Sequence, residues 1–312
     1  MRDGRRRILV IKLGALGDFV LAAGPFAAIR AAHPTDEIVL LTTPPFAELA
    51  AESGYFDQIW TDGRPRTLDL PGRWRLARKL AAAGISRVYD LQTSPRSTSY
   101  FLHFPRRARP EWSGIAAGCS HPHDNPDRNS LHTLDRQSEQ LAMAGIAETP
   151  FPDLSWMKGN IGRLGLPERY VLMVAGAAPH RPGKRWPAAH YAALADRLAE
   201  MGLPTVIIGG KIDIALADEI VESAGTADIR SLAGETTLSE IAALARRAAG
   251  AVGNDTGPMH ISALCGCPSL VLFSDESDPA LTAPQGPDVG VLQRPNLADL
   301  DVSTVAAALR LR

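Results

Sequence analysis

Near the start of the chain stands ILVIKLGALGDFVLAAGPFAAIRAAH, residues 8–33. Its first four residues (8–11) are branched apolar side chains, which is typical of a strand buried on both faces. A turn containing Gly14 and Gly17 follows, and residues 19–33 then place apolar side chains at helical spacing. A buried strand, a glycine turn and a helix make the first half of a βαβ unit, so this stretch predicts a parallel sheet.

The same alternation of short apolar runs and helical stretches continues along the chain. Further strands are predicted at 37–42, 87–92, 170–176, 205–210, 249–255 and 269–274, and further helices at 188–202 and 238–248. The rhythm stops between about residues 114 and 166, where turn-forming residues prevail. We therefore predict an α/β protein with a linker at 150–166 and two Rossmann-like, doubly wound parallel-sheet domains, 1–155 and 156–312.

Two such domains predict ligand binding at a shared central cleft, because ligands of doubly wound sheets lie beside the carboxyl ends of the strands. Two positions are open for the last helix: it packs on its own C-terminal domain or back on the N-terminal domain.

Composition and charge indicate which classes of partner this protein has. The 312 residues are 45% hydrophobic and 21% charged, as in an ordinary globular protein, and the net charge of −1 argues against a nucleic-acid partner. The segment 64–109 differs, because it holds eleven Arg and Lys residues against two acids, Asp69 and Asp90. We interpret this segment either as a solvated helix face or as a docking surface for an anionic substrate or lipid headgroup.

The cysteines and the N-terminal residues indicate a cytoplasmic protein. Neither a disulfide framework nor a zinc site is expected from the three cysteines, Cys119, Cys265 and Cys267. Arg5–Arg7 before an apolar stretch resembles an export signal, but Lys12 and Asp18 interrupt that stretch, so we expect no export. The longest uncharged run, 256–274, contains glycine, proline and histidine, which disfavours a membrane-spanning helix.

The opening turn raises a question about Asp18. Its glycines do not form the G-x-G-x-x-G pattern of a dinucleotide site, and no phosphate-binding Gly-Lys-Ser/Thr follows. Asp18 falls at or near the predicted helix start, where a carboxylate can serve as the N-cap. The alternative is a general base, because the helix dipole favours an ionised carboxylate there, and such a group can accept a proton from a substrate hydroxyl.

A second cluster of polar residues lies in VGNDTGPMHISALCGCPSLVLF, residues 252–273. A strand ends at Asp255, Thr256 can begin a helix, and Pro258 suits a first helical turn. Gly257 lets backbone N–H groups approach a ligand closely. Together with His260, this cluster is denser than a cap requires and predicts a helix N-terminus that binds an anion.

Two further loops follow predicted strands. The loop 175–187 carries Arg181 and Lys184, and cations at a strand end suit a diphosphate, although random surface charge is the alternative. After Gly209-Gly210, Asp213 can bind ribose hydroxyls. We expect no metal at the turn-rich segment with His121, His123, Asp124 and His132, since its spacing matches no known ligand set.

Taken together, these stretches resemble glycosyltransferase family 9, the ADP-heptose:lipopolysaccharide heptosyltransferase family. The similar segments are ILVIKLGALGDFVLAAGPFAAIRAAHP, VAGAAPHRPGKRWPAAHYAALADRL and LAGETTLSEIAALARRAAGAVGNDTGPMHISALCGCPSLVLFSDESDP, in the order of the family. The resemblance implies a GT-B architecture with the acceptor on the first domain and the nucleotide-sugar on the second. It also implies an inverting transferase that uses no metal and no cofactor.

The resemblance also implies roles for individual residues. Asp18 corresponds to the catalytic base, Lys184 to the phosphate-binding lysine, and the Asp-Thr-Gly element holds the donor sugar and its diphosphate. We expect the donor site to contain Lys184, Arg181, Asp213, Asp255, Thr256, Gly257, Pro258 and His260. We expect the acceptor, an anionic lipopolysaccharide inner core, to contact Gly17, Arg96, Arg64 and Arg66. The same basic segment is a candidate for a peripheral contact with the inner face of the inner membrane.

Two departures from the family pattern bear on the donor. Ala178 stands where many relatives carry a small hydroxyl residue, and Asp213 where the family usually places glutamate. Because of these two departures, a transferase of the same fold that uses another nucleotide-sugar or another glycan acceptor remains an alternative. Outside glycosyl transfer, a non-catalytic two-domain protein that binds sugar nucleotides and a nicotinamide-dependent oxidoreductase are the alternatives.

Overall fold

A computed structural model describes residues 5–63, 70–225 and 228–312 of the chain. The chain divides into two compact units, Met1–Pro152 and Asp153–Arg312. Among the described residues, each unit contains one six-stranded sheet in which every pair of neighbouring strands is parallel. Each unit is therefore an α/β layer structure of its own.

The elements of the first unit alternate as the sequence predicts. Its strands are β1 (Arg7–Ile11), β2 (Glu37–Thr42), β3 (Gln58–Thr61), β4 (Ile85–Asp90), β5 (Glu111–Gly114) and β6 (His121–Pro122). Its α-helices are α1 (Leu16–Leu21), α2 (Ala23–Ala32), α3 (Ala47–Glu52), α4 (Leu70–Ala82), α5 (Pro95–Ser99) and α6 (Thr133–Met143).

The second unit repeats this plan. Its strands are β7 (Val171–Val174), β8 (Thr205–Ile207), β9 (Ile229–Ser231), β10 (Gly250–Asn254), β11 (Ser269–Phe273) and β12 (Val289–Gln293). Its α-helices are α7 (Ala188–Glu200), α8 (Ile214–Ser223), α9 (Leu238–Arg247), α10 (Gly257–Leu264), α11 (Pro279–Thr282) and α12 (Val302–Ala308).

The strand order in both sheets is that of a Rossmann fold. The first sheet runs β3-β2-β1-β4-β5-β6, and the second runs β12-β11-β10-β7-β8-β9, which is the same order read from the other edge. The order reverses between β1 and β4 and between β7 and β10. Ligands of such sheets bind outside the carboxyl ends of the strands at this switch point. The predicted fold class, two doubly wound parallel sheets, is confirmed.

The central strands form the core of each unit. Residues 8–11 of β1 are all 0% exposed, and Ile8 pairs with Ile38 of β2 on one side and with Arg87 of β4 on the other. In the second unit, the buried rings of Trp186 and Tyr191 pack edge to face, with centroids 4.8 Å apart. Burial on both faces explains why these strands are continuous apolar runs.

Two sequence expectations about this fold need correction. The segment 114–166 was expected to be irregular, but it contains helix α6. The stretch 19–33 was expected to be one helix, but the structure has two, α1 and α2, joined at Ala22.

The last helix, α12, packs on α7 of the second unit, and Val305 is fully buried there. No helix in the described part of the chain is long and apolar enough to cross a bilayer.

Candidate active site

The opening turn lies at the switch point of the first sheet, after β1. The Leu13 N–H donates to the side-chain oxygen of Gln92, 2.7 Å away, and the Thr43 hydroxyl donates to the Leu13 carbonyl at 3.0 Å. Gly14 has φ +123°, a conformation that favours glycine. The turn after β1 is thus held between the segments that follow the two neighbouring strands, β2 and β4.

Asp18 occupies the third position of helix α1, and the N-cap is Ala15, which makes no side-chain capping bond. The carboxylate is half-buried in the first turn, beside the buried Gly17. Its negative charge interacts favourably with the helix dipole, but its side chain does not cap the helix N-terminus. The capping interpretation of Asp18 is therefore wrong in its geometry, and the role of general base stays a prediction.

Two buried charged residues next to this turn, Lys12 and Asp90, were not singled out as site residues from the sequence. The Lys12 side chain is 3% exposed and donates to the Leu91 carbonyl at 3.3 Å. Burial lowers the pKa of Lys12, while the negative charges of Asp18 and Asp90 act in the opposite direction. The signal was present in the sequence, because Lys12 and Asp90 are charged residues directly at the ends of apolar strands.

Asp90, the last residue of β4, is fully buried. One carboxylate oxygen, Oδ1, accepts from the backbone N–H groups of Gln92 (3.2 Å) and Thr93 (3.1 Å). The other, Oδ2, is buried without a hydrogen-bond partner among the described residues. Burial raises the pKa of Asp90 to about 6, against the partial compensation of the Ser97 hydroxyl, the two N–H groups and Lys12.

The pKa of Asp90 predicts a pH dependence of stability. Its folded value of about 6 lies above the 3.8 of an ordinary aspartate, so the folded state binds the proton more tightly than the unfolded state does. Its contribution to stability is full below that ordinary pKa and is lost as the pH rises through 6. Asp90→Asn is therefore expected to gain ~2 kcal/mol in free energy of unfolding, relative to wild type, between about pH 4 and pH 7. Urea unfolding of both proteins across this pH range measures the difference. Free energies of unfolding that change with pH in the same way in both proteins would contradict the prediction.

Arg96, a predicted acceptor contact, lies in an ion pair. Its Nε and Nη2 donate to the two carboxylate oxygens of Asp62 at 2.7 and 2.8 Å, and Asp62 is 2% exposed. The Tyr100 hydroxyl donates to the same carboxylate. The charge of Arg96 is thus largely offset by Asp62, and its contact with an acceptor stays a prediction. Arg64 and Arg66 lie outside the described residues.

The structure brings three predicted donor residues together in the second unit. The Lys184 ammonium lies 2.5 Å from Oδ2 of Asp255, and the Ser277 hydroxyl donates to the same oxygen at 2.8 Å. His260 Nε2 lies 4.0 Å from Asp255 Oδ1. The side chains of Lys184 and Asp255 are only 12% and 7% exposed, so they form a partly desolvated ion pair directly after β10.

Helix α10 begins beside this ion pair. Its N-cap is Thr256, whose hydroxyl donates to the Asn254 carbonyl at 3.3 Å and makes no capping bond to the helix. Gly257 and Pro258 form the first two helical positions. The N–H groups of the first turn and the positive end of the helix dipole suit an anion, as the sequence predicts.

Asn254, the residue before Asp255, holds the lysine loop in place and was missed by the sequence analysis. Its Oδ1 accepts from the backbone N–H of Trp186 (3.1 Å) and from the Tyr191 hydroxyl (3.0 Å). Its Nδ2 donates to the Ala175 carbonyl at 2.6 Å. Asn254 is fully buried, so the end of β10 and both ends of the loop 175–187 are fixed to one side chain.

Asp213 lies at the ends of β7 and β8. Its Oδ2 accepts from the Gly210 N–H at 2.8 Å, and its Oδ1 would be 2.5 Å from a Cβ atom at Gly176. Only glycine at 176 therefore leaves room for this carboxylate. Arg181 is exposed and donates to the Glu276 carbonyl at 3.1 Å. Ribose binding by Asp213 and phosphate binding by Arg181 stay predictions.

The histidine-rich segment has contacts of its own. His123 Nε2 lies 2.7 Å from Glu139, and His132 accepts the Leu134 N–H at the start of α6. Within the described residues, no group of three or more His, Cys, Asp or Glu side chains is arranged to hold a metal ion.

Comparison with known proteins identifies the family. The sequence model of glycosyltransferase family 9 (heptosyltransferase) matches residues 73–306. The chain belongs to glycosyltransferase family 9. Across 308 residues it is 36% identical to lipopolysaccharide heptosyltransferase 2 of Escherichia coli K12, covering 89% of this chain and 85% of that protein.

Two solved structures of this family share the fold. A family 9 glycosyltransferase from Veillonella parvula superposes with a TM-score of 0.82 at 23% identity, covering 97% of this chain and 95% of the other. The ADP-heptose lps heptosyltransferase II of E. coli superposes with a TM-score of 0.77 at 23% identity, covering 97% of each chain. The predicted family and GT-B fold class are confirmed. As a family 9 member the chain is a glycosyltransferase, which argues against the oxidoreductase and non-catalytic alternatives.

Proposed function

We propose that this family 9 glycosyltransferase moves heptose from ADP-heptose to a lipopolysaccharide inner-core acceptor, with inversion and without a metal ion. The observation that carries the proposal is the Lys184–Asp255 ion pair at the start of α10, at the switch point of the second sheet. Cations and helix N–H groups at that position suit the diphosphate of a nucleotide-sugar. The similarity to lipopolysaccharide heptosyltransferase 2 supports this choice of donor and acceptor.

In the proposed reaction, Asp18 takes the proton of an acceptor hydroxyl as the hydroxyl oxygen attacks the anomeric carbon of heptose. The bond between that carbon and the β-phosphate oxygen breaks, and ADP leaves with the electron pair. Attack and departure take place on opposite faces of the sugar, so the anomeric configuration inverts.

Charge on the departing ADP is stabilised by residues of the second unit. Positive charge lies where negative charge develops on the diphosphate, and it comes from Lys184, Arg181 and the first turn of α10. This charge stabilises the leaving group in place of a metal ion. Asp255 orients Lys184 through the 2.5 Å ion pair, and His260 lies next to the same carboxylate. Asp213 binds the ribose of the nucleotide.

The acceptor lies on the first unit, at the turn that carries Gly17 and Asp18. Arg64 and Arg66 contribute positive charge for the anionic inner core, and Arg96 contributes less charge, because Asp62 offsets most of it. Because this acceptor is a lipid-anchored glycan, we also propose that the enzyme acts in the cytoplasm, at the inner face of the inner membrane, as a peripheral protein.

A panel of donors tests the proposal. ADP-heptose with deacylated inner-core acceptor is expected to yield ADP and a product larger by one heptose, at a rate at least about tenfold above UDP- and GDP-sugars. ADP release is followed enzymatically, the product by mass spectrometry and its anomeric configuration by NMR. Activity that survives EDTA supports metal independence. Faster turnover of another nucleotide-sugar would instead assign the donor that the Asp213 and Ala178 departures leave open.

A further inference from the structure

Helix α4 packs on the core with one face and exposes the opposite face to solvent. Leu76 and Leu80 pack towards the core, and Leu80 is 0% exposed. Trp74 and Arg78 lie about 200° around the helix from them, so they point away from the core. Trp74 is 60% exposed, and the Arg78 guanidinium lies 5.2 Å from the centre of its ring. An exposed tryptophan on the outer face of a basic helix is unusual for a purely solvated surface.

A 3₁₀ turn, Tyr100–His103, lies next to α4. It packs beside α4, and Arg73 and His103 line one cavity of about 310 Å³ between the two elements. Leu102 in this turn is 72% exposed, and the exposed Arg106 and Arg107 follow it. A second large apolar side chain thus faces solvent next to α4.

The charge of this surface has one sign. From residue 70 to 109 the sequence contains nine Arg and Lys residues and a single acid, Asp90, which is 0% exposed. Within residues 70–109, which the structure describes throughout, the exposed charged side chains are therefore all cationic. The exposed cations of residues 70–109 are Arg73, Arg75, Arg78, Lys79, Arg106 and Arg107.

We propose that Trp74 and Leu102 insert into an anionic lipid bilayer while these exposed cations bind its headgroups. This deepens the peripheral contact of the proposed function, on which it rests, by naming the surface that makes it. Tryptophan suits the interface between headgroups and acyl chains, because its ring is apolar with one polar N–H. Arginine and lysine can bury their alkyl stems while the charge stays at the phosphates. In a complex with nucleic acid the phosphates would bind the cations and a base can stack on Trp74, but the aliphatic Leu102 has no role.

Vesicle co-sedimentation of the full chain tests this surface. The wild type is expected to bind vesicles of phosphatidylcholine and phosphatidylglycerol in equal parts, and to lose that binding in pure phosphatidylcholine or at about 0.5 M salt. Trp74→Ser/Leu102→Ser and Arg75→Gln/Arg78→Gln are each expected to lower the partition coefficient roughly 10- to 30-fold. Met201→Ser is the matched control, because Met201 is 65% exposed on the second unit; it is expected to bind as wild type does.

Transfer to a soluble, deacylated acceptor separates docking from catalysis and from folding. Trp74→Ser/Leu102→Ser is expected to keep wild-type transfer on that acceptor, which also shows that it folds. The vesicle assay uses neither donor nor acceptor, so it stands even where the transfer proposal fails. Equal vesicle binding by wild type and Trp74→Ser/Leu102→Ser would overturn the proposal. Tighter binding to a short DNA duplex than to the anionic vesicles would also overturn it, in favour of nucleic acid.

Discussion

Asp18→Asn is expected to lower heptosyl transfer by about 10²–10⁴-fold while donor binding is retained. Asparagine keeps the size and polarity of the side chain at the third position of α1 but cannot accept the proton of the acceptor hydroxyl. The donor residues Lys184 and Asp255 belong to the other unit of the chain, so the affinity for ADP is expected to be unchanged. Steady-state transfer rates and calorimetric titration with ADP measure the two effects separately.

Asp135→Asn provides the matched control for this substitution. Asp135 is also the third residue of a helix, α6, where it lies exposed in the first turn. Both substitutions remove one favourable charge–dipole interaction, worth about 0.3–1 kcal/mol in stability. Only Asp18→Asn is expected to stop transfer. Equal transfer by both variants would reduce Asp18 to a helix-stabilising carboxylate.

Lys184→Met is expected to have two effects with different causes. It leaves the Asp255 carboxylate, 7% exposed, without its cation, which is expected to cost about 3–5 kcal/mol of stability. It also removes a positive charge from the proposed diphosphate site, which is expected to lower transfer about 10²–10³-fold. Urea unfolding measures the first effect, and donor kinetics measure the second.

A double substitution and a pair of ligands separate these effects. In Lys184→Met/Asp255→Asn no buried charge is left over, so stability is expected to return to within about 1 kcal/mol of wild type. The ratio of ADP to AMP affinity reports on the terminal phosphate alone. Wild type is expected to prefer ADP by about tenfold or more, and Lys184→Met to lose most of this preference. An unchanged ratio would show that Lys184 serves only to neutralise Asp255.

The sequence predicted the central strands better than the edges of the sheets. β1 is an apolar run before a glycine turn, whereas the edge strand β3 (QIWT) is half-exposed and shows no such run. Helix α6 was missed because its buried face includes Gln137 and Gln140, which hide the apolar period. Gln140 is buried because its Nε2 donates to the Asp90 carbonyl at 3.0 Å, a contact that local spacing cannot reveal.

By itself, the sequence determined the alternation of strands and helices, the two glycine turns with Asp18 and Asp255, and the family. These are local patterns, set by backbone freedom and by which side chains a strand or helix can bury. Only the tertiary structure decided which charges are paired: Lys184 with Asp255, 71 residues away, and Arg96 with Asp62, 34 residues away. The reason is physical, because desolvation and the distance between opposite charges depend on contacts between residues far apart in the chain.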